Sequence, residues 1–232
     1  MMKRGVLLGS LILFAAFFFS LAGAHAQTAS SPQFLVTWKA SGSHIPSFYA
    51  GKALPTLGSK ITASLELVSN GKLVNLNSQN IYWYEDEVLV GGGQGVQQVT
   101  FSPFGAPPGS LILDVELPQY SGGYLTYAVN IPFVNPVAVI YAPYPAHEFS
   151  TDLLAVQGLP FFFYATSSDN LFYSWSVNGQ TGSSTENPQV ADITVPQGTP
   201  GGTNVGVSLS ISNLSKSTVA TANQNFTFQN QL

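Results

Sequence analysis

Apolar residues alternate with polar residues along most of the chain after residue 26. One such run contains Phe34, Val36 and Trp38, and another in the second half contains Tyr173 and Trp175. A period of two over about four to eight residues is typical of half-buried β-strands. No stretch beyond residue 26 keeps the 3.6-residue period of an amphipathic helix. The pattern therefore predicts an all-β fold.

Turn-forming residues separate the apolar runs at short intervals. They include Asn70-Gly71, Pro108-Gly109, Asn178-Gly179 and Pro200-Gly201. Glycine adopts positive φ readily and proline presets its own φ, so both favour turns. Many short strands with such turns between them indicate Greek-key β-sandwiches. By the same reasoning we expect a flexible hairpin tip at residues 91–95, Gly-Gly-Gly-Gln-Gly.

Unlike features recur in the same order 92 residues apart. The matched features are Trp83 with Trp175, Pro108-Gly109 with Pro200-Gly201, Val115 and Leu117 with Val207 and Leu209, and Tyr49-Ala50 with Tyr141-Ala142. The order of these features, rather than the number of identities, indicates a tandem duplication. It predicts two sandwiches in series, at residues 27–134 and 135–232, joined by a short linker. Each has about 100 residues, which is enough for a single core.

The first 26 residues have the layout of a secretory signal peptide. Lys3 and Arg4 precede an apolar run from Val6 to about Leu21, and Ala24-His25-Ala26 provides a cleavage site. The apolar run is short for a membrane span, which needs about 20 residues. We therefore expect cleavage after Ala26, with an uncleaved N-terminal membrane anchor as the alternative. Either outcome predicts an exported protein that is extracellular, on the cell surface or periplasmic.

The charge inventory of the remaining chain excludes several function classes. Beyond residue 26 there are five lysines, no arginine and eleven acidic residues, so the formal net charge is −6. Nucleic-acid binding is not expected, because phosphate neutralisation by Lys and Arg supplies most of that affinity. The absence of cysteine removes disulfides, thiolate catalysis and cysteine-ligated metal sites. Stability must therefore come from apolar burial.

The two tryptophans of the repeat are interpreted as core residues. In immunoglobulin-like sandwiches a tryptophan on the third strand fills the space between the sheets. Trp83 and Trp175, with Val115 and Val207 on the matched later strand, are therefore the predicted structural core.

The sequence predicts no catalytic residues and no cofactor. His44 and His147 are the only histidines after residue 26, and no Gly-x-Ser-x-Gly motif accompanies them. Glu85, Asp86 and Glu87 form the densest acidic cluster and are a candidate for calcium, which prefers carboxylate oxygens. Neighbouring residues on a strand face opposite sides, however, so a solvated hairpin end is the preferred interpretation.

Four tyrosines are candidates for contact with a partner. Tyr82 and Tyr84 flank Trp83 and so must face outward if Trp83 faces inward. Tyr141 and Tyr144 lie in a Tyr-Ala-Pro-Tyr-Pro run where a ring is expected to be exposed. Exposed tyrosines offer an apolar ring with a polar hydroxyl, which suits sugars and proteins. For Tyr141 and Tyr144 the preferred alternative is packing at an interdomain seam or against a neighbouring loop.

The segment 173–179, Tyr-Ser-Trp-Ser-Val-Asn-Gly, resembles the tryptophan strand and Asn-Gly turn of an immunoglobulin-like domain of the PKD type. An alternating strand and a closing Phe-Thr-Phe strand follow it. The first copy matches this pattern less well at residues 82–87. The whole chain, including residues 48–55, resembles exported bacterial proteins made of tandem Ig-like modules. That resemblance implies the fold but does not imply any enzymatic or binding activity.

Three functions follow as hypotheses. The first is a non-catalytic envelope or extracellular module that serves as spacer, adhesion or assembly domain, with surface proteins or glycans as partners. The second is a carbohydrate-binding surface protein that uses exposed aromatic residues. The third, a secreted hydrolase, is opposed by the lack of a nucleophile, base and orienting group. Contact with a membrane is expected only through an uncleaved N-terminal segment.

Overall fold

The computed structural model of the protein describes residues 31–105, 107–182 and 187–230. The predicted signal peptide, residues 1–26, lies outside the described residues. Strands before residue 134 are β1 (Gln33–Ser41), β2 (Ser43–His44), β3 (Lys60–Ser69), β4 (Lys72–Leu73), β5 (Asn80–Glu85), β6 (Val88–Gln94), β7 (Gln98–Phe101), β8 (Gly109–Tyr120) and β9 (Gly123–Phe133).

Later strands are β10 (Val137–Tyr141), β11 (Glu148–Phe149), β12 (Leu153–Phe161), β13 (Phe163–Tyr164), β14 (Phe172–Val177), β15 (Gln180–Gly182), β16 (Val190–Thr194), β17 (Thr203–Asn213) and β18 (Thr218–Phe228). Short 3₁₀ turns span Pro145–His147 and Ser168–Asn170. The predicted all-β fold is confirmed, because strands build both hydrophobic cores.

The same arrangement of strands occurs twice. In the first sandwich, β3 pairs with β1 and β7 in one sheet, and the other sheet has the order β6-β5-β8-β9. In the second sandwich, one sheet has the order β10-β12-β16, and β15-β14-β17-β18 run side by side in the other. Apart from the two-residue strands β4 and β11, which pair with β3 and β18, three strands face four in each case. The connections cross between the sheets as in an immunoglobulin-like Greek key. The strand order therefore supports the immunoglobulin-like β-sandwich fold.

Each sandwich has its own hydrophobic core. The first core contains Ile61, Leu65, Trp83, Leu113 and Ile131, all with 2% exposure or less. The second core is a separate cluster that contains Leu154, Trp175, Val207, Leu209 and Phe226. Alternation explains both, because every second residue of the long strands is buried. The domain division at residue 134 and the assignment to the PKD type stay predictions.

The two tryptophans occupy corresponding positions. Trp83 lies on β5 and Trp175 on β14, the third strand of each Greek key. The Trp83 Nε1–H donates to the Val96 carbonyl at 3.0 Å, and the Trp175 Nε1–H donates to the Pro188 carbonyl at 3.0 Å. Each acceptor lies 13 residues after its tryptophan. The indole therefore fills the core while its only polar atom remains hydrogen-bonded.

The repeat register needs one correction on the strand that follows. Trp83 pairs with Val115, whereas Trp175 pairs with Leu209. The structural counterpart of Val115 is therefore Leu209 and not Val207, because the second copy has two more residues between these strands. Val207 is still buried, at 1% exposure.

The sequence match of Tyr49 with Tyr141 is wrong in structural terms. Tyr141 ends β10, the first strand of the second sandwich. Tyr49 instead lies in the long connection between β1 and β3 and contacts Phe161 and Phe162 of the second half. The connection after the first strand is longer in the first copy than in the second. A single offset of 92 residues therefore cannot align both the tyrosines and the tryptophans of the two copies.

Candidate interaction surface

The outer face of the sheet β6-β5-β8-β9 carries three tyrosine side chains, of which Tyr124 is exposed. Alternation on β5 puts Trp83 inside and leaves Tyr82 and Tyr84 half-buried on the other face. Cross-strand partners extend this surface, which we call the tyrosine face. Its members are Tyr82, Tyr84, Leu89, Ile112, Asp114, Glu116 and Tyr124.

Glycines on β6 leave room for a tyrosine ring on this face. A Cβ atom at Gly92 would lie 2.5 Å from Cδ1 of Tyr82, and one at Gly91 would lie 2.6 Å from Cγ2 of Val99. Only Gly95 of the expected tip at residues 91–95 lies in a turn, and the prediction is wrong for Gly91 and Gly92. These residues belong to β6, where neighbouring side chains occupy the space that their own side chains would need.

The tyrosine face is negatively charged. Burial raises the pKa of Asp114, and the nearby carboxylates of Glu116, Asp86 and Glu87 raise it further. A hydrogen bond to Glu116 is the main cause that raises the pKa of Tyr124 to about 12. Strands β5, β6, β8 and β9 contain no lysine. The face therefore combines aromatic rings with carboxylates that have no basic partner on their own sheet.

The acidic cluster at residues 85–87 does not converge on one point. Glu85 is buried at 1% exposure, and its Oε1 accepts a hydrogen bond from the Phe104 N–H at 2.9 Å. Asp86 and Glu87 have φ of 45° and 72° and form the turn into β6. Asp86 Oδ1 accepts from the Ile112 N–H at 3.0 Å. No group of three potential metal ligands occurs among the described residues.

The burial of Glu85 contradicts the predicted solvated hairpin end at residues 85–87. Glu85 follows Ile81 and Trp83 in the inward alternation of β5. Its Oε2 is buried without a hydrogen-bond partner, and burial is the largest cause that raises its pKa. A carboxyl group in this position favours the protonated form.

The structure separates the other two candidate tyrosines. The Tyr144 ring packs against Phe149 and Phe226, and its hydroxyl accepts a hydrogen bond from the Ala155 N–H at 3.2 Å. Tyr144 therefore belongs to the second core rather than to a contact surface. Tyr141 is 52% exposed at the end of β10.

The two histidines of the described residues lie in different surroundings. His147 packs edge-on against Phe226, with ring centroids 5.7 Å apart. Burial lowers the pKa of His44, and the charge of Asp169 opposes this effect. The Ser168 hydroxyl near His44 accepts a hydrogen bond from Gln189 Nε2 at 3.1 Å. No hydrogen bond joins either histidine side chain to a serine hydroxyl within the described ranges.

A second candidate surface is the contact between the two sandwiches, which we call the clasp. It consists of segment 42–59 packed against residues 160–165 and Lys216. Within it, β2 pairs antiparallel with β13. The Phe162 N–H donates to the His44 carbonyl at 2.6 Å, and the Ala165 N–H donates to the Gly42 carbonyl at 3.1 Å. Backbone hydrogen bonds thus connect a loop of the first sandwich to the second.

Side chains reinforce the clasp. The Tyr49 ring lies 5.6 Å from the Phe161 ring and 5.9 Å from the Phe162 ring, in edge-to-face geometry. Within the second sandwich, the Lys216 ammonium lies 4.7 Å from the centre of the Tyr164 ring, a cation–π contact, and both side chains lie against Gly58 of the first sandwich. Asn213 Nδ2 donates to the Tyr164 carbonyl. Near the domain junction, the Val134 N–H donates to the Pro55 carbonyl at 3.0 Å.

Beside the clasp lies a groove of about 470 Å³ at the junction of the two sandwiches. Its lining includes His44, Phe48, Gln157, Leu159 and Gln189. The Phe48 ring is 66% exposed. Sequence analysis missed the clasp and this groove, since neither has a local sequence signal.

None of the helices in the described part of the chain has the length and apolar character required to cross a membrane.

No protein-family model matches the chain, and no curated protein matches it. Solved structures similar to it include fibronectin(III)-like modules of CbhA from Clostridium thermocellum, at 15% identity and a TM-score of 0.29, covering 85% of this chain and 94% of that one. Amphioxus IgVJ-C2 is 11% identical with a TM-score of 0.29, and the match covers 67% of this chain and 91% of that one. A fragment of intimin, in complex with the intimin-binding domain of its receptor, is 11% identical with a TM-score of 0.29, and the match covers 80% of this chain and 64% of that one. The fold assignment rests on the strand order.

Proposed function

We propose that the chain is a non-catalytic, exported module of the cell envelope or extracellular space. It holds two immunoglobulin-like sandwiches in a fixed relation, as a spacer, adhesion or assembly unit. The clasp is the observation that carries this proposal. Tandem domains joined only by a linker are expected to move relative to each other, whereas the clasp adds backbone pairing and ring packing.

One feature of the sequence supports the envelope or extracellular location. The first 26 residues have the layout of a signal peptide. The surface partners are proteins or glycans of the envelope, for which the tyrosine face is the candidate contact. Its carboxylates favour a partner that presents hydroxyl groups or positive charge.

The spacer role predicts one narrow distance between the sandwiches. Because the chain lacks cysteine, Thr37→Cys and Thr221→Cys introduce spin labels at two exposed strand positions, one in each sandwich. Pulsed dipolar spectroscopy, on labelled protein diluted with unlabelled protein, is expected to give a single narrow distribution. Adding Tyr49→Ala and Tyr164→Ala, which remove clasp rings, is expected to broaden it.

Tyr141→Ala is the matched control for the clasp variant. It also removes a tyrosine ring but lies outside the clasp, so the distribution is expected to stay narrow. A broad distribution in the unaltered background would contradict the spacer role.

Carbohydrate binding is the second candidate function. The half-buried Tyr82 ring beside Gly92 and the exposed Tyr124 ring favour it, because an aromatic ring at the surface suits the apolar side of a sugar ring. A glycan array tests this candidate. Absence of binding, or binding that is unchanged in Tyr82→Ala and Tyr84→Ala, would contradict it.

A further inference from the structure

The last strand of the first sandwich, β9, has an open edge. It pairs with β8 along its length, and no strand of the described residues pairs with its other edge. Proteins usually protect such edges with charged residues, proline, short strands or a covering segment, because an open edge pairs readily with another chain. The one proline of β9, Pro132, is the next-to-last residue of the strand. Strand β9 has 11 residues and no charged residue.

Pro132 identifies which backbone groups face outward. Proline has no N–H, so the Ser110–Pro132 pair cannot exchange hydrogen bonds with β8. Backbone groups of successive residues point to alternate sides of a strand. The residues at even-numbered positions therefore have their backbone groups on the same side as Pro132. These residues, which present their N–H and C=O groups to the open edge, are Thr126, Ala128 and Asn130.

The edge is complementary to itself. In an antiparallel pair centred on Ala128, the smallest side chain meets its own copy, and Thr126 lies opposite Asn130. On the inner side Tyr127, which is 44% exposed, lies opposite Val129 of the second copy. Like charges that face each other destabilise a pair of strands. The chain as a whole is acidic, but β9 has no charged residue, so two copies of β9 pair without this repulsion.

The equivalent edge of the second sandwich is covered at one end. Strand β18 also has 11 residues without charge. However, β11 pairs with its end at Thr227 and Phe228. Strand β9 has no such cover among the described strands.

We propose that β9 binds a second copy of this chain, edge to edge and antiparallel about Ala128. The two four-stranded sheets then form one continuous sheet, with the two tyrosine faces side by side. A two-fold interface of this kind is the commonest arrangement of a homodimer. The inference deepens the proposed assembly role and rests on it, by naming a second copy as a partner.

Sedimentation velocity over a range of protein concentrations tests the proposal. The unaltered chain, expressed without residues 1–26, is expected to show a reversible dimer. Thr126→Lys combined with Ala128→Lys places two lysines at the dyad, and is expected to raise the dimer dissociation constant at least about tenfold. Thr221→Lys with Asn223→Lys, which adds the same charge to β18, is expected to leave it unchanged.

Amide hydrogen exchange provides a readout that needs no variant. Thr126, Ala128 and Asn130 are expected to be protected at high protein concentration and to exchange freely after dilution. A monomer at every concentration, an unchanged dimer in the β9 variant, or a dimer lost only in the β18 variant would overturn the proposal. The spin-label distances come from individual chains, so a narrow distribution in a monomeric protein would overturn dimerisation and leave the spacer role intact.

Discussion

Trp83→Ala is expected to lower the free energy of unfolding by about 3–5 kcal/mol, and Trp175→Ala by a similar amount. Their side chains are 0% and 3% exposed, and each lies between two sheets of its sandwich. Truncation leaves a cavity and also removes the indole donor from the Val96 or Pro188 carbonyl. Because no disulfide links the sheets, no covalent bond compensates for the lost packing.

Urea unfolding followed by circular dichroism measures this loss. Trp38→Ala is the matched control, since Trp38 is only partly buried and the Lys52 ammonium lies 3.3 Å from its ring centre. Its truncation is expected to cost clearly less than that of Trp83. A loss below about 1 kcal/mol for Trp83→Ala or Trp175→Ala would be too small for a core position.

Glu85→Gln is expected to stabilise the protein at neutral pH and not at acidic pH. The pKa of Glu85 is higher in the folded protein than in the unfolded chain, chiefly because the carboxyl group is buried. Between the pKa of the unfolded chain and that of the folded protein, the folded protein holds a proton that the unfolded chain has released. Above the folded pKa, the carboxyl group ionises in the core. Stability therefore falls with rising pH, and an uncharged glutamine removes this dependence.

The free energy of unfolding is expected to rise at pH 7 and to stay nearly unchanged well below the ordinary pKa of a glutamate. Urea unfolding at both pH values gives the difference. Glu66→Gln changes an exposed glutamate on β3 and serves as the control, with little change expected at either pH. Equal effects of Glu85→Gln at the two pH values would show that ionisation of Glu85 does not affect stability.

Much of the fold follows from local chemistry. Alternation on β5 and β14 is enough to place Trp83 and Trp175 inside, because strand side chains point to opposite faces in turn. The same parity places Glu85 inward with Ile81 and Trp83. That signal was present in the sequence, but the charges of residues 85–87 favoured a solvated turn.

The repeat register shows what a period of two cannot decide. Shifting the match between the copies by two residues still pairs apolar with apolar positions, so offsets of 92 and 94 residues look alike on β8 and β17. Only the pairing of Trp175 with Leu209 distinguishes them. The sequence therefore predicts the strand and its buried face, but not its alignment with the first copy.

The clasp and the burial of Tyr144 depend on contacts between distant segments. Nothing local in residues 42–59 indicates that Tyr49 contacts Phe161, more than 100 positions later. Tyr144 lies in a proline-rich segment that reads as exposed, yet the chain folds it onto Phe226. Such placements depend on the closing of whole sandwiches, which periodicity does not report.

Residual dipolar couplings of the backbone N–H groups test most directly whether the two sandwiches form one rigid unit. Couplings from residues 33–133 and from 137–228 are fitted separately, in a weakly aligned sample of the unaltered chain. We predict that both sets give alignment tensors of the same magnitude and orientation, because the clasp fixes the two sandwiches together. Tensors of clearly different magnitude would show independent motion and would contradict a fixed spacer.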